Sequence, residues 1–412
     1  MSLQQGPIIV VSDDKQPALM AALDAGGMFP IIETTWAEAS RAVAQLQPAI
    51  VVATASEAAG LKFHGLAQQI GGVKPYLPLL AIDPKTALPE NAIPFSLING
   101  NWARLLPRLR AALRVRTLHA TVLRRLGDQP LIKPAFAEVD PARDATVLLI
   151  GRAGAYAALS VALGERIGVV GALSIEAAAK HLNARDIDGI VLGQGFTARV
   201  VDAFLTVLGE DSRFRNLPVI ATLPGLAAVY DLPNLEIIAG DAAYIAANAL
   251  PLIRQHAFES HLSRTLRSID AGGLLDPLTG LLTAAAFDRD LATAVGQTLA
   301  NGGGLSVARF AFDPANARAR LDGARLLSRL MRQMDFGAIY GDGSALVVFA
   351  ETDLRTAHVI ARRLSSVIRH TVHDSSNTRR NEPSVSVATL EPSDTTQSLL
   401  ARLHHEAHRA AS

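Results

Sequence analysis

The chain has 412 residues, enough for roughly two to four domains with cores of their own. Its 39 Lys and Arg residues balance 38 Asp and Glu residues, so the net charge gives no overall attraction to nucleic acid or to a membrane. The absence of cysteine excludes disulfides, thiol catalysis and cysteine-ligated metals. The first residues show no signal-peptide pattern and no apolar run reaches the roughly 18 residues of a membrane span, so we expect a cytoplasmic protein.

A first segment alternates short apolar runs with amphipathic stretches. Strands are predicted at Ile8–Val11, 29–32, 49–53 and 77–82, with a helix at 36–46. Short apolar strands that alternate with helices are typical of a parallel sheet covered by helices on both faces.

A second segment repeats this pattern. Its predicted strands are Thr146–Ile150, 168–170, Gly189–Leu192 and 217–221. A period of about 135 residues indicates two similar domains rather than a solenoid.

Two long helical stretches suggest the domain boundaries. The first, 102–126, leads into a linker that contains several prolines, and the second, 249–269, stops at a Gly-Gly pair. We therefore predict three domains: 1–140, 141–270 and 271–412.

The helical stretch at 102–126 is strongly basic and amphipathic. A surface of this kind could bind an acidic partner or nucleic acid, but we favour the last helix of the first repeat, with a buried leucine face and a solvated arginine face. Its basic residues are Arg104, Arg108, Arg110, Arg114, Arg116, Arg124 and Arg125.

The last third of the chain carries two motifs in a fixed order. The first is Asp276-Pro-Leu-Thr-Gly-Leu, and the second is Arg332-Gln-Met-Asp335 followed by a Gly-Asp-Gly-Ser turn at 341–344. Together they resemble the GGDEF (diguanylate cyclase) family, whose domains open on Asp-x-Leu-Thr-Gly-Leu and place Arg-x-x-Asp shortly before a Gly-Gly-Asp/Glu-Glu-Phe turn. The resemblance implies an α+β domain of the nucleotidyl-cyclase type.

The positions that serve catalysis in that family are altered here. Cyclisation needs divalent metals held by carboxylates, and the matching positions are Ala311, Gly343 and Ser344. The family's guanine-contacting Asn and its two arginines fall on Thr283, Ala284 and Ala285. Asp313 and Asp342 remain as an alternative metal pair, but we expect neither a metal site nor an enzyme.

One binding site of the family is retained. The resemblance assigns Arg332 and Asp335 to the product-inhibition site, where arginine contacts guanine or phosphate and the carboxylate accepts hydrogen bonds from guanine. Alignment of the following hairpin and helix places Arg363 at a further arginine position. We therefore predict cyclic di-GMP as the ligand of Arg332, Asp335 and Arg363. A common surface ion pair is the alternative for Arg-x-x-Asp.

The two repeats resemble response-regulator receiver domains of the flavodoxin-like doubly wound fold. The sequence Asp211-Ser-Arg-Phe-Arg-Asn-Leu-Pro-Val-Ile220 leads into the strand at 217–221. It is typical of PleD-type proteins, which carry two receivers before a GGDEF domain. The phospho-acceptor aspartate falls on Thr54 in the first repeat and on Gly193 in the second. Asp13 and Asp14 are all that remains of an acidic pocket, either as a residual metal site or as a loop pair that caps the next helix or simply faces water.

The predicted fold is therefore α/β, with two flavodoxin-like receiver domains followed by an α+β GGDEF domain. The PleD-type resemblance implies a catalytically inactive cyclic di-GMP effector that is a homodimer, sits at the cell pole and acts with a protease adaptor such as RcdA. Two alternatives remain open: a ligand-independent dimeric scaffold, and a residual cyclase or GTP-binding regulator.

Overall fold

The computed structural model describes residues 6–54, 60–97, 100–126, 140, 144–152, 154–223, 226, 230–371 and 383–411, without the side chains of 370–371 and 404–411. The chain forms two compact units. The first extends to Ser263 without Lys180–Asp186, and the second comprises Lys180–Asp186 and Arg264–Ser412. The division into 1–140, 141–270 and 271–412 stays a prediction. Within the described ranges, no helix combines membrane-spanning length with an apolar sequence.

The first repeat is a parallel sheet of five strands. Its elements are β1 (Ile8–Val11), α1 (Pro17–Ala25), β2 (Ile31–Thr34), α2 (Ala39–Leu46), β3 (Ile50–Thr54), α3 (Gly60–Gly71), β4 (Leu79–Ile82), β5 (Ala92–Phe95) and α4 (Leu105–Leu126). The strand order β2-β1-β3-β4-β5 is the flavodoxin-like order. The segment between β4 and β5, which the structure describes throughout, contains no helix.

The second repeat has the same topology. Its elements are β6 (Thr146–Ile150), α5 (Ala155–Gly164), β7 (Gly168–Ala172), α6 (Ile175–Ala184), β8 (Gly189–Leu192), α7 (Ala198–Glu210), β9 (Val219–Ala221), β10 (Leu235–Ile237) and α8 (Ala242–Asp270). The order β10-β9-β8-β6-β7 is that of the first sheet read from the other edge. The internal repeat predicted from sequence is therefore present in the fold.

The two repeats pack against each other through their last helices, α4 and α8. Leu252 of α8 belongs to the buried core cluster that Leu105, Leu109 and Leu113 of α4 form with the first sheet. Apolar burial between the repeats therefore places these parts of both repeats in the same compact unit.

A buried ion pair joins α4 of the first repeat to β10, the edge strand of the second sheet. The Arg108 guanidinium donates to the Glu236 carboxylate at 2.7 Å, and both side chains are almost completely buried. The same guanidinium donates to the carbonyl oxygens of Pro94 at 2.6 Å, Pro233 at 2.8 Å and Leu235 at 3.0 Å. Burial lowers the pKa of Arg108, and the Glu236 charge opposes that effect.

A second arginine completes this cluster. Arg104, also buried, donates to the Leu235 carbonyl and to the Ser96 carbonyl at 2.9 Å, while the Ser96 N–H donates to Glu236 at 3.0 Å. The predicted solvated arginine face of α4 is therefore wrong for Arg104 and Arg108. These side chains supply the hydrogen bonds that the facing strand edges β5 and β10 lack.

His119 of α4 gives this unit a pH dependence. The His119 Nδ1 accepts the Tyr76 N–H at 2.9 Å, so the folded protein needs the neutral ring. Burial, with help from Lys74 and Arg116, lowers the pKa of His119 from its ordinary 6.5 to about 4.

At a pH between these two pKa values, His119 binds a proton in the unfolded chain but not in the folded chain. We therefore expect the free energy of unfolding to fall as pH drops from 6.5 to about 4, by up to about 1.36 kcal/mol per pH unit from this group. Chemical denaturation at several pH values in this range should show a smaller change of the unfolding free energy with pH for His119→Gln than for wild type. An equal change in the two proteins would contradict the role given to His119.

The C-terminal unit contains a four-stranded antiparallel sheet between two pairs of helices. Its elements are α9 (Ala284–Asn301), β11 (Leu305–Ala311), α10 (Ala317–Leu330), β12 (Phe336–Ile339), β13 (Ala345–Ala350), α11 (Leu354–Thr371), β14 (Ser384–Thr389) and α12 (Thr396–Ala411). The strand order is β12-β13-β11-β14. Helices α10 and α11 pack on one face of the sheet, and α9 and α12 pack on the other.

The Asp-Pro-Leu-Thr-Gly turn fixes the position of α10. The Asp276 carboxylate accepts the N–H groups of Leu278 and Thr279 at 2.7 and 2.9 Å, which closes the turn. From α10, the buried Arg325 donates to the Leu278 carbonyl at 2.9 Å, and Ser328 donates to the Gly280 carbonyl at 3.0 Å. The retained half of this motif therefore has a structural role here, because it anchors the helix that leads to Arg332.

Candidate functional site

Arg332 and Asp335 form a tight turn between α10 and β12. The Asp335 N–H donates to the Arg332 carbonyl at 3.0 Å, and the Asp335 carboxylate accepts the Arg332 N–H at 3.3 Å. Strand β12 begins at the next residue, Phe336, so the sheet holds one end of the turn. Backbone contacts therefore fix where the two side chains leave the surface.

The Arg332 guanidinium at one end of this turn remains available, whereas the Asp335 carboxylate is half-buried. Arg332 is exposed, and its guanidinium makes no hydrogen bond to another group in the described part of the chain. Burial raises the pKa of Asp335, while backbone hydrogen bonds from Arg332 and Ala350 and the Arg332 charge oppose the rise. An exposed guanidinium beside a half-buried carboxylate offers donors and acceptors to one ligand at the same place.

Arg363 lies on the same face of the sheet as this turn. It is exposed on α11, whose buried side chains Ile360 and Leu364 pack into the core that α10 also covers. The structure thus places all three predicted ligand residues, Arg332, Asp335 and Arg363, on the helix pair α10/α11 or directly after it.

Two exposed apolar side chains accompany them, which the sequence reasoning did not single out. Met334, inside the Arg-x-x-Asp turn, is 61% exposed, and Val359, one helical turn before Arg363, is 65% exposed. Apolar groups beside exposed arginines offer a surface on which a planar base can lie. The place of Met334 between Arg332 and Asp335 was the available signal for it.

The positions that match the family's catalytic carboxylates carry a different arrangement. Asp342 in the hairpin turn accepts from Arg309 of β11 at 2.8 Å and from the Ser344 hydroxyl at 2.6 Å. Burial alone would raise the pKa of Asp342, but the hydrogen bonds from Arg309 and Ser344 lower it to about 2. This carboxylate is therefore charged and already occupied by an arginine.

Neighbouring groups do not complete a metal site around Asp342. Asp313 accepts the Ala315 N–H of its own loop at 2.9 Å. Gly343 has a φ of 80°, and a Cβ added there would meet the Arg320 guanidinium at 2.7 Å, so a second cation lies against the turn. Among the described residues, no group of three or more His, Asp or Glu side chains is placed to hold a metal ion.

The positions that match the receiver phospho-acceptor lie at the ends of β3 and β8. The Thr54 hydroxyl donates to the Ser12 hydroxyl at 3.0 Å. Asp13 accepts the Trp36 N–H at 3.1 Å, in the loop before α2, and the N-cap of the next helix, α1, is Gln16 without a side-chain capping bond, so Asp13 does not cap that helix. In the second repeat, Gly193 follows β8, and the Arg152 guanidinium lies 5.3 Å from the ring centre of Phe196.

No family model and no curated protein matches the sequence. Similarity was found only to solved structures. The coiled coil and GGDEF domain of DgcB from Caulobacter crescentus, in complex with c-di-GMP, is 16% identical, covers 36% of this chain and 86% of its own, and has a TM-score of 0.31. The FimX GGDEF domain from Pseudomonas aeruginosa is 21% identical, with coverages of 34% and 93% and a TM-score of 0.30. A sensory box/GGDEF family protein from Caulobacter crescentus is 23% identical, with coverages of 34% and 97% and a TM-score of 0.29. We draw neither fold nor function from likenesses of this extent.

Proposed function

We propose that this protein is a catalytically inactive effector that binds cyclic di-GMP through Arg332, Asp335 and Arg363. The observation that carries the proposal is the turn after α10, which holds Arg332 and Asp335 by backbone hydrogen bonds and leaves the Arg332 guanidinium exposed. A preformed site of this kind loses little conformational entropy when a ligand binds.

The chemistry of the site suits a guanine dinucleotide. A guanidinium donates in pairs to the acceptors on the Hoogsteen edge of guanine or to phosphate oxygens. The Asp335 carboxylate accepts from the guanine N–H groups, and Arg363 from the neighbouring helix neutralises a phosphate. Met334 supplies apolar contact beside the base.

The same protein should not synthesise the dinucleotide. Metal ions and a triphosphate need carboxylates at the hairpin, whereas this chain places Arg309 on Asp342 and Arg320 against Gly343. Purified protein with GTP and Mg²⁺ or Mn²⁺ should therefore form no cyclic di-GMP when the products are separated by chromatography. Turnover that disappears in Asp342→Asn would overturn this part of the proposal.

Neither repeat should accept a phosphoryl group, because Thr54 and Gly193 lack the carboxylate that forms an acyl phosphate. Incubation with acetyl phosphate and Mg²⁺ should leave the mass of the intact protein unchanged. Thr54→Asp is the matched variant, since it restores a carboxylate beside Asp13 and Asp14. A hydroxylamine-sensitive phosphate on the unaltered protein would show that the receiver alignment is wrong.

The predicted domain order resembles that of PopA, the catalytically inactive paralogue of PleD. The resemblance implies a protein at the cell pole that helps to deliver a cell-cycle regulator to the ClpXP protease through the adaptor RcdA. The first repeat has no phospho-acceptor aspartate, because Thr54 stands at that position. If the first receiver governs polar placement in that family, placement of this protein must depend on protein contacts instead. A homodimer belongs to the same proposal.

A competition experiment separates the proposed function from its rivals. Fluorescently labelled cyclic di-GMP bound to the full chain should be displaced by unlabelled cyclic di-GMP and not by excess GTP with Mg²⁺. Displacement by GTP at equal concentration would favour a GTP-binding regulator. A label that never binds would favour the ligand-independent scaffold.

A further inference from the structure

The sheet of the second repeat has an open edge at strand β7. This strand stands last in the order β10-β9-β8-β6-β7, and within the described residues it pairs only with β6. The Gly168 N–H donates to the Ala145 carbonyl at 3.0 Å, so the backbone groups of Gly168 point toward β6. Because this direction alternates along a strand, the N–H and C=O groups of Val169 and Gly171 point away from the sheet.

The other edges of the two parallel sheets are protected. Arg104 and Arg108 supply hydrogen bonds to the facing edges of β5 and β10. Strand β2 of the first sheet corresponds to β7, since it pairs with β1 as β7 pairs with β6. Its next-to-last residue is the exposed Glu33, whereas the next-to-last residue of β7 is Gly171. An exposed charge on an outward-facing residue is a common protection against edge pairing.

Strand β7 has none of these protections. Its five residues, Gly168–Ala172, include no charge and no proline, and they pair with β6 in an unbroken register. Gly171 is exposed and has no side chain to keep another backbone away. An open edge with these properties is a template for a further strand.

The helix beside this edge is also uncharged. The Tyr156 hydroxyl of α5 lies where a Gly171 Cβ would stand, which places α5 over β7. Helix α5 contains no Asp, Glu, Lys or Arg, and its exposed residues include Ala157 and Val161, the latter 63% exposed. A helix that faces water normally carries polar residues there, so this surface is typical of one that another chain covers.

The outward groups of β7 match those of a second copy. When two β7 strands run antiparallel with Val170 on the two-fold axis, Val169 lies opposite Gly171 of the partner subunit. The same pair recurs on the other side of the axis, and each pair exchanges two N–H···O=C hydrogen bonds. The side chain of Val169 then lies beside a glycine, which leaves it room.

We infer that β7 is the surface through which two copies of this chain associate. Pairing of the two strands joins the sheets of the second repeats into one sheet of ten strands, five from each copy. A two-fold contact of this kind uses both open edges, so it closes at the dimer. The inference rests on the homodimer of the proposed function and assigns its surface, but it does not depend on cyclic di-GMP.

A cysteine cross-link tests the register directly, because the chain has no cysteine of its own. Residues at the two-fold axis form a pair without hydrogen bonds, with Cα atoms about 4.5 Å apart, which a disulfide can span. Val170→Cys, oxidised with copper phenanthroline at about 10 µM protein without ligand, should therefore give a covalent dimer on a non-reducing gel. Ile32→Cys, at the equivalent position of β2, should remain a monomer on the same gel.

Sedimentation equilibrium gives a second readout. Val169→Lys places two like charges at the paired strands and should raise the dimer dissociation constant at least about tenfold. Ile31→Lys is the matched control, since Ile31 is half-buried like Val169 and lies two residues before Glu33. It should change the constant less than about twofold. Thermal unfolding checks that each variant is folded.

Three results would overturn the inference. They are no cross-link in folded Val170→Cys, an equal cross-link in Ile32→Cys, and dimerisation of Val169→Lys as tight as that of wild type. A wild-type dimer combined with any of them would place the homodimer on another surface, whereas a wild-type monomer at about 10 µM would remove the homodimer as well. Val169→Lys should still bind cyclic di-GMP, and a dimer that binds no cyclic di-GMP would contradict only the effector function.

Discussion

Glu236→Ala should lower the free energy of unfolding of the first unit by about 3–5 kcal/mol. The substitution leaves Arg108, whose side chain is 1% exposed, buried without its counter-charge. It also removes the acceptor of the Ser96 N–H and the negative charge near Arg104. Against the roughly 5–15 kcal/mol of a typical domain, a loss of this size brings the unit close to unfolding at room temperature.

The control is a second ion pair that also joins the two repeats, between α4 and α8. Arg114 and Glu259 meet at 2.8 Å, but their side chains are 37% and 20% exposed, so Glu259→Gln should cost about 0–1 kcal/mol. The two tryptophans, Trp36 and Trp102, both lie in the first repeat and report its denaturation by fluorescence. A loss for Glu236→Ala no larger than that for Glu259→Gln would contradict the role given to the buried pair.

Arg332→Ala should weaken cyclic di-GMP binding by roughly 10- to 100-fold. Loss of the guanidinium leaves guanine acceptors or a phosphate without a charged donor, which costs about 1.5–3 kcal/mol. The fold should be unaffected, because Arg332 is exposed and only its backbone joins the turn. Arg363→Ala should weaken binding by a smaller factor, since its charge acts from the next helix.

Arg355→Ala is the matched control for this series. Arg355 is also exposed on α11 and its loss removes the same charge, but it does not correspond to a ligand position. Its affinity should stay within about 2-fold of wild type, because salt screens charges that do not touch the ligand. Equal losses for Arg332→Ala and Arg355→Ala would indicate general electrostatic attraction instead of a defined site.

Much of the fold could be predicted where continuous apolar runs are bounded by polar residues. The predicted bounds of β1, β6 and β8 coincide with those in the structure, because buried parallel strands have few polar interruptions. Strand β2 begins later than predicted, at Ile31, since Phe29 is 81% exposed and lies outside the sheet. Hydrophobic character alone could not reveal that exposure.

Partners distant in sequence could not be predicted. In the sequence, Arg108 is one of several arginines in a basic helix, and nothing nearby indicates its partner Glu236, which is 128 positions away. Asp342 reads as a shifted catalytic acid until Arg309, 33 positions away, is seen to occupy it. The Arg-x-x-Asp turn is a different case, because its contacts lie within four consecutive residues and involve no distant partner.

Calorimetric titration of the full chain with cyclic di-GMP tests the central claim most directly. We expect saturable heat with a dissociation constant of about 1 µM or lower, which Arg332→Ala largely removes while the variant keeps the wild-type unfolding temperature. No heat and no thermal shift at tens of micromolar ligand, with folded protein, would contradict the effector function and leave the ligand-independent scaffold as the better description.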